Sequence, residues 1–163
     1  MSKGLNELSE TVLSACREAR LKLATAESCT GGLVVAALTD IAGSSDVVER
    51  GFVTYSNEAK TELLGVPAAL IAAHGAVSAQ VATAMVQGAL ARAPVDLAVS
   101  ITGIAGPGGA TSGKPVGLVY FGIARKGGTA RVERHTFQGD RATVRAAATE
   151  RALELLLEAA RSA

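Results

Sequence analysis

Residues 95–101 read VDLAVSI, and residues 102–115 continue TGIAGPGGATSGKP. The first stretch is short and nearly continuously apolar, without the alternation of a strand that has one wet face. That is what a strand buried on both sides requires, and such strands belong to sheets covered by helices above and below. The second stretch is crowded with glycine and carries Pro107 and Pro115, so it is a loop, and one long enough to point to function.

Working outward, Ser78 is placed to cap a helix over residues 79–93. Pro67 suits the first turn of a short helix over 67–73. Another short helix is expected over 57–64, after a strand in VVERGFVTYS (47–56). Towards the N-terminus, LKLATAES (21–28) reads as a strand, and Gly31-Gly32 opens a helix closed by Gly43. Apolar residues from Leu8 to Ala19 recur at helical spacing in a segment starting at Asn6. On the C-terminal side, VGLVYFGIA (116–124) and ARVERHTF (130–137) form a hairpin, and a helix from Asp140 to Arg161 ends the chain. Alternating helix and strand with no break in composition predicts one domain over 1–163. Its expected fold is a three-layer α/β/α sandwich with a mixed, mostly parallel central sheet.

The chain has 163 residues, a formal charge of +1, and only two His and two Cys. Near-neutrality leaves no basic field for nucleic acid or an anionic membrane. Two His and two Cys far apart do not build a closed zinc site. Cys16 and Cys29 do not suggest a disulfide framework. The N-terminus has no secretory leader pattern and no run is long enough to span a bilayer, so a cytoplasmic location is expected.

Two nucleotide motifs nearly match and fail. Residues 108–114 fit G-x-x-x-x-G-K, but Pro115 stands where a P-loop needs Ser or Thr, and strand follows where a helix should. Gly103, Gly106 and Gly108 give the dinucleotide spacing reversed. Tyr55 and Lys60 are five apart, not the four of a hydride-transfer pair.

Four polar stretches fall where α/β sheets bind ligands, beyond the carboxyl ends of strands. They are TAESCTGG (25–32), TYSNEAK (54–60), SITG (100–103) and GDR (139–141) with Arg145 one turn later. Three of them have a bland reading when taken individually: Ser28 as a helix cap, Lys60 as a solvated lysine, and the arginines as an ordinary helix start.

Together with LGV (64–66), HGAVSA (74–79) and FQGDR (137–141), these stretches resemble the C-terminal domain of the competence-damage-inducible protein CinA over nearly the whole chain. The resemblance implies hydrolysis of the carboxamide of nicotinamide mononucleotide to nicotinate mononucleotide and ammonia, without a metal or organic cofactor, in a homodimer. It implies Ser28 as nucleophile, with Tyr55 and Lys60 taking the role of a histidine base. The implied substrate contacts are Glu27, Cys29, Thr30, Gly31, Thr102, Gly103, Arg141 and Arg145. Backbone N–H groups after Ser28 would receive the oxyanion, and one of the two arginines, with the N–H groups of the last helix, the phosphate. Burial can lower a lysine pKa far enough for Lys60 to accept a proton directly or through Tyr55.

Three rivals stand beside this reading. Glu27, Cys29 and Lys60 are the residue types of a cysteine amidase. His74 or His135 could complete a serine triad. A nucleotide-binding or partner-binding module with no hydrolysis is the alternative of a different class. The alanine-rich stripe of the last helix could form a dimer interface or pack on its own sheet.

Overall fold

The computed structural model describes residues 2–162. Helix α1, Lys3–Ala19, starts three residues before its apolar periodicity because Ser2 caps it, its hydroxyl accepting from Leu5 N at 3.2 Å. Five strands follow: β1 Leu23–Glu27, β2 Val48–Val53, β3 Leu97–Gly103, β4 Leu118–Arg125 and β5 Arg131–Thr136. Their order in the sheet is β2-β1-β3-β4-β5. β1 pairs in parallel with both β2 and β3, whereas β4 runs antiparallel to β3 and to β5. Four strands therefore share one direction and β4 alone opposes them, giving the expected mixed, mostly parallel sheet.

The remaining helices are α2 Leu33–Thr39, α3 Asn57–Leu64, α4 Ala68–His74, α5 Ala79–Arg92 and α6 Arg141–Arg161. α1, α2 and α6 cover one face and α3, α4 and α5 the other, which makes the third layer. β3 shows why both coverings fit. Leu97, Val99 and Ile101 enter the large core beneath α1 and α6. The alternate positions, Ala98, Ser100 and Thr102, are small enough to bring α5 close. Ser100 Oγ donates to Ala82 O of α5 at 2.6 Å. Opposite it, Gly122 has no room for a side chain, since a Cβ would lie 2.5 Å from Ser100 Oγ and 2.7 Å from Ala82 O.

α2 ends at Thr39 rather than near Gly43, and a 3₁₀ turn at Ser44–Asp46 leads into β2. Pro67 is the N-cap of α4 and not its first residue; its ψ of 130° is extended. The apolar stripe of α6 (Val144, Ala148, Ala152, Leu155, Leu156) is fully buried in the domain's own core, so that stripe is not free for a partner. Among the described residues no helix is long and apolar enough to cross a membrane.

The connection from β1 to β2 runs through α2 on one face, and that from β2 to β3 through α3, α4 and α5 on the other. β1 and β3 are neighbours whose following segments diverge, which opens a crevice at their carboxyl ends. All four polar stretches converge there or at its rim.

Candidate active site

Ser28 follows β1 directly, and its N–H donates to Ile101 O of β3 at 2.9 Å, pinning the turn to the neighbouring strand. The turn closes through Gly31 and Gly32, whose φ angles of 57° and 104° lie in the left-handed region that favours glycine. Beneath it, the fully buried Glu27 carboxylate accepts from Gly32 N (3.2 Å), Val34 N (2.9 Å), Val35 N (3.0 Å) and Thr25 Oγ1 (3.1 Å). Expected as a substrate contact, the carboxylate is instead occupied in capping α2. It also removes the amides at the start of α2 as oxyanion donors. The N–H groups of Cys29 and Thr30 donate to no acceptor among the described residues.

Lys60 enters from α3, which begins where Ser56 Oγ accepts from Ala59 N at 3.0 Å. One turn on, Lys60 points inward with 1% of its surface exposed. Its Nζ lies 3.0 Å from Ser28 Oγ, 3.1 Å from Thr54 O and 3.3 Å from Tyr55 O. Burial pushes its pKa below the ordinary 10.5, only partly offset by Cys29 and Glu58. As a neutral amine, Lys60 can donate two hydrogens to carbonyls and accept the Ser28 hydroxyl proton with its lone pair.

Tyr55 is brought to the site in a different way from the one expected. Its side chain is 61% exposed, and it is the backbone carbonyl that faces Lys60 and Ser28. The phenol accepts from an Arg141 guanidinium nitrogen at 3.0 Å. A proton path from Ser28 through the Tyr55 hydroxyl to Lys60 is therefore not built here.

Ser28, Cys29, Tyr55, Lys60, Thr102, Gly103 and Arg141 line one cleft of about 270 Å³. Thr102 Oγ1 donates to Ala76 O at 2.9 Å, which leaves its lone pairs as acceptors at the cleft. Gly103 is required by crowding, since a Cβ would lie 2.7 Å from Val119 Cγ2 and 2.9 Å from Leu118 O. Asn57, Ala76, Val77, Ala105, Gly106 and Gly108 also line the cleft. These were not singled out as ligand contacts in the sequence, because only the fold brings 57, 76–77 and 105–108 to one rim.

The two arginines of α6 separate. Arg141 lies at the mouth of the cleft, also donating to Gly106 O at 2.8 Å. Arg145, Thr30 and Gly31, expected to touch substrate, stand outside the residues that line the cleft. Thr30 is fully buried and Gly31 faces outward. Arg145 donates from the far side of the turn to Cys29 O (3.0 Å) and Thr30 O (3.3 Å), and borders a separate groove of about 620 Å³ between α1 and α6. Asp140 caps α6 and accepts from Thr143 N at 2.9 Å, so that amide is not open to an anion.

The groups of the two rival nucleophile schemes are placed as follows. Burial pushes the Cys29 thiol up to about 12, far from a thiolate. His135 stacks on Phe137 with ring centroids 5.3 Å apart, and neither it nor His74 lines the cleft. No group of three or more His, Cys, Asp or Glu among the described residues could hold a metal ion.

The family model of the CinA C-terminal domain matches residues 5–160. The chain belongs to the CinA C-terminal domain family. This CinA domain is 52% identical over 152 residues to the Escherichia coli K12 protein named nicotinamide-nucleotide amidohydrolase PncC, covering 93% of this chain and 92% of that one. It is 55% identical over 150 residues to a CinA-like protein of Citrifermentans bemidjiense, covering 92% of this chain but 36% of that one. It thus spans little more than a third of the longer relatives it matches. The CinA fold itself superposes on the crystal structure of a competence/damage inducible protein from Agrobacterium tumefaciens with a TM-score of 0.94. Those two chains are 43% identical, and the match covers 97% of this chain and 96% of that one.

Proposed function

We propose that this chain is an amidohydrolase that converts nicotinamide mononucleotide and water to nicotinate mononucleotide and ammonia, with Ser28 as nucleophile and Lys60 as its base. The observation that carries the reading is the buried, 3.0 Å approach of Lys60 Nζ to Ser28 Oγ in the floor of a cleft. The name of the E. coli relative supports the same substrate.

In this reading neutral Lys60 takes the Ser28 proton as Oγ attacks the carboxamide carbon, forming a tetrahedral oxyanion. The amides of Cys29 and Thr30 receive that charge. The ammonium of Lys60 then returns the proton to the departing nitrogen, ammonia leaves, and an acyl ester remains on Ser28. Water, deprotonated by the same lysine, attacks the ester; Lys60 then returns that proton to the departing Ser28 Oγ, releasing nicotinate mononucleotide and restoring the free serine and neutral lysine. Thr102 accepts from the carboxamide N–H₂ and orients it. At the mouth, Arg141 has N–H groups to spare beyond those on Gly106 O and Tyr55 Oη, and these suit the phosphate. Tyr55 holds Arg141 through its phenol. The homodimer implied by the family is part of this reading, with an interface elsewhere than on the buried stripe of α6.

Ammonia release from nicotinamide mononucleotide tests the activity, and comparing Ser28→Ala with Cys29→Ala tests the nucleophile. The expected result is turnover by the wild type, near-normal turnover by Cys29→Ala and loss in Ser28→Ala. The reverse pattern moves the chemistry to the thiol. Binding without ammonia from the wild type leaves the nucleotide-binding module.

A further inference from the structure

We propose that Arg145 is a positioning residue for this reaction, acting through the backbone of the Ser28 turn and not on the substrate. The inference rests on Ser28 being the nucleophile. Residues 28–31 are joined by trans peptide bonds, and in a trans unit the C=O and N–H point in opposite directions. Arg145 grips Cys29 O at 3.0 Å and Thr30 O at 3.3 Å from the α6 side. Holding the Cys29 carbonyl towards α6 fixes the N–H of Thr30, which shares that peptide plane, on the side away from α6. The adjoining plane is fixed in turn: Ser28 O accepts from Gly31 N at 3.0 Å, which orients the N–H of Cys29. These two N–H groups have no acceptor among the described residues, whereas the amides that follow are all taken: Gly31 N by Ser28 O, Leu33 N by Thr30 O, and Gly32, Val34 and Val35 N by Glu27.

A turn rich in glycine has many alternative peptide orientations, and a flip of one plane would point a carbonyl oxygen at the developing oxyanion. Glu27 holds the turn through N–H groups from below, and Arg145 holds it through C=O groups from behind. Arg145 reaches the turn without lining the cleft, so it can set the oxyanion geometry while leaving substrate affinity alone.

The test compares wild type, Arg145→Lys and Arg145→Met with nicotinamide mononucleotide and with its dephosphorylated riboside. A positioning role predicts that Arg145→Met loses kcat by ~10²-fold, the effect of removing one oxyanion donor. KM should stay within about threefold, and the preference for the phosphorylated substrate should keep the wild-type ratio. Arg145→Lys, which keeps the charge and can reach one carbonyl, should recover part of kcat. A folded Arg145→Met with wild-type kcat and raised KM, or with its phosphate preference abolished, overturns the proposal. Should Arg145→Met not fold, the lysine variant carries the test: reduced kcat at unchanged KM supports the proposal, and unchanged kcat overturns it. Absence of turnover in the wild type itself is a separate outcome, which removes the hydrolase reading and this one with it.

Discussion

Lys60 Nζ reaches Ser28 Oγ at 3.0 Å while forming no ion pair with any described carboxylate. A buried amine without a counter-ion is driven towards neutrality, and only the neutral form can take a proton. The pH dependence follows directly. Lys60 is protonated and inert as a base below its lowered pKa, so kcat should rise with pH through a midpoint below 10.5 and then level off. Lys60→Ala should lower kcat by ~10²-fold or more and abolish that limb. A profile that falls across the same range counts against lysine as base.

Arg141 should carry the preference for a phosphorylated substrate. Arg141→Ala is expected to raise KM for nicotinamide mononucleotide while leaving the riboside nearly unaffected, which separates it from Arg145. A charge-assisted contact of this kind is worth about 1.5–3 kcal/mol, or roughly 10- to 150-fold in kcat/KM. Steady-state kinetics on the two substrates decide it; an equal loss on both would remove the assignment.

Gly88 couples packing to chemistry. A Cβ there would lie 2.0 Å from Leu64 O, in the backbone of the helix that carries Lys60. Gly88→Ala must push α3 off α5, at about 1–3 kcal/mol, and should also reduce kcat because Lys60 is displaced with its helix. Gly4→Ala is the contrast, with nothing within 4 Å of the added methyl, and should be neutral or slightly stabilising. Thermal unfolding and turnover measured on both variants check the pair.

Glu133 ties β5 to α6. Arg151 binds it with two bonds of 2.7 and 2.8 Å, and this guanidinium, helped by His135, holds its carboxyl down to about 2 from the usual 4.5. Because the folded pKa is the lower one, the pairing contributes fully above about 4.5 and is lost as pH falls towards about 2. Glu133→Gln should lower stability at neutral pH by ~1 kcal/mol, given partial exposure, or about 2–4 °C in Tm. The gap to wild type should close between pH 4.5 and 2 in scans of thermal unfolding; an equal gap at both ends would place its origin elsewhere.

The signals legible in the sequence were those that depend on neighbours in the chain. Ser78 caps α5 and the helix over 57–64 stands as read, while the doubly buried strand forms two residues later than read, at Leu97–Gly103, taking in Thr102 and Gly103 from the expected loop. Long-range consequences were not legible. Glu27 looked like a site carboxylate because nothing local tells that its side chain curls under its own turn. Tyr55 stands at the expected position, but the direction of its ring depends on Arg141, 86 residues away. Arg141 and Arg145 are one helical turn apart and similarly oriented, yet the ~6 Å rise between them places one at the cleft mouth and the other behind the loop.

The long glycine loop is fastened near both ends: Gly106 O accepts from Arg141, and Lys114 Nζ donates to His74 O. Held at these two points, the rim is expected to behave as a frame and not as a hinged flap. Substrate entry and product escape then involve no swinging segment working against solvent friction. Turnover should accordingly be limited by bond making and breaking, and kcat should hold constant when sucrose thickens the medium.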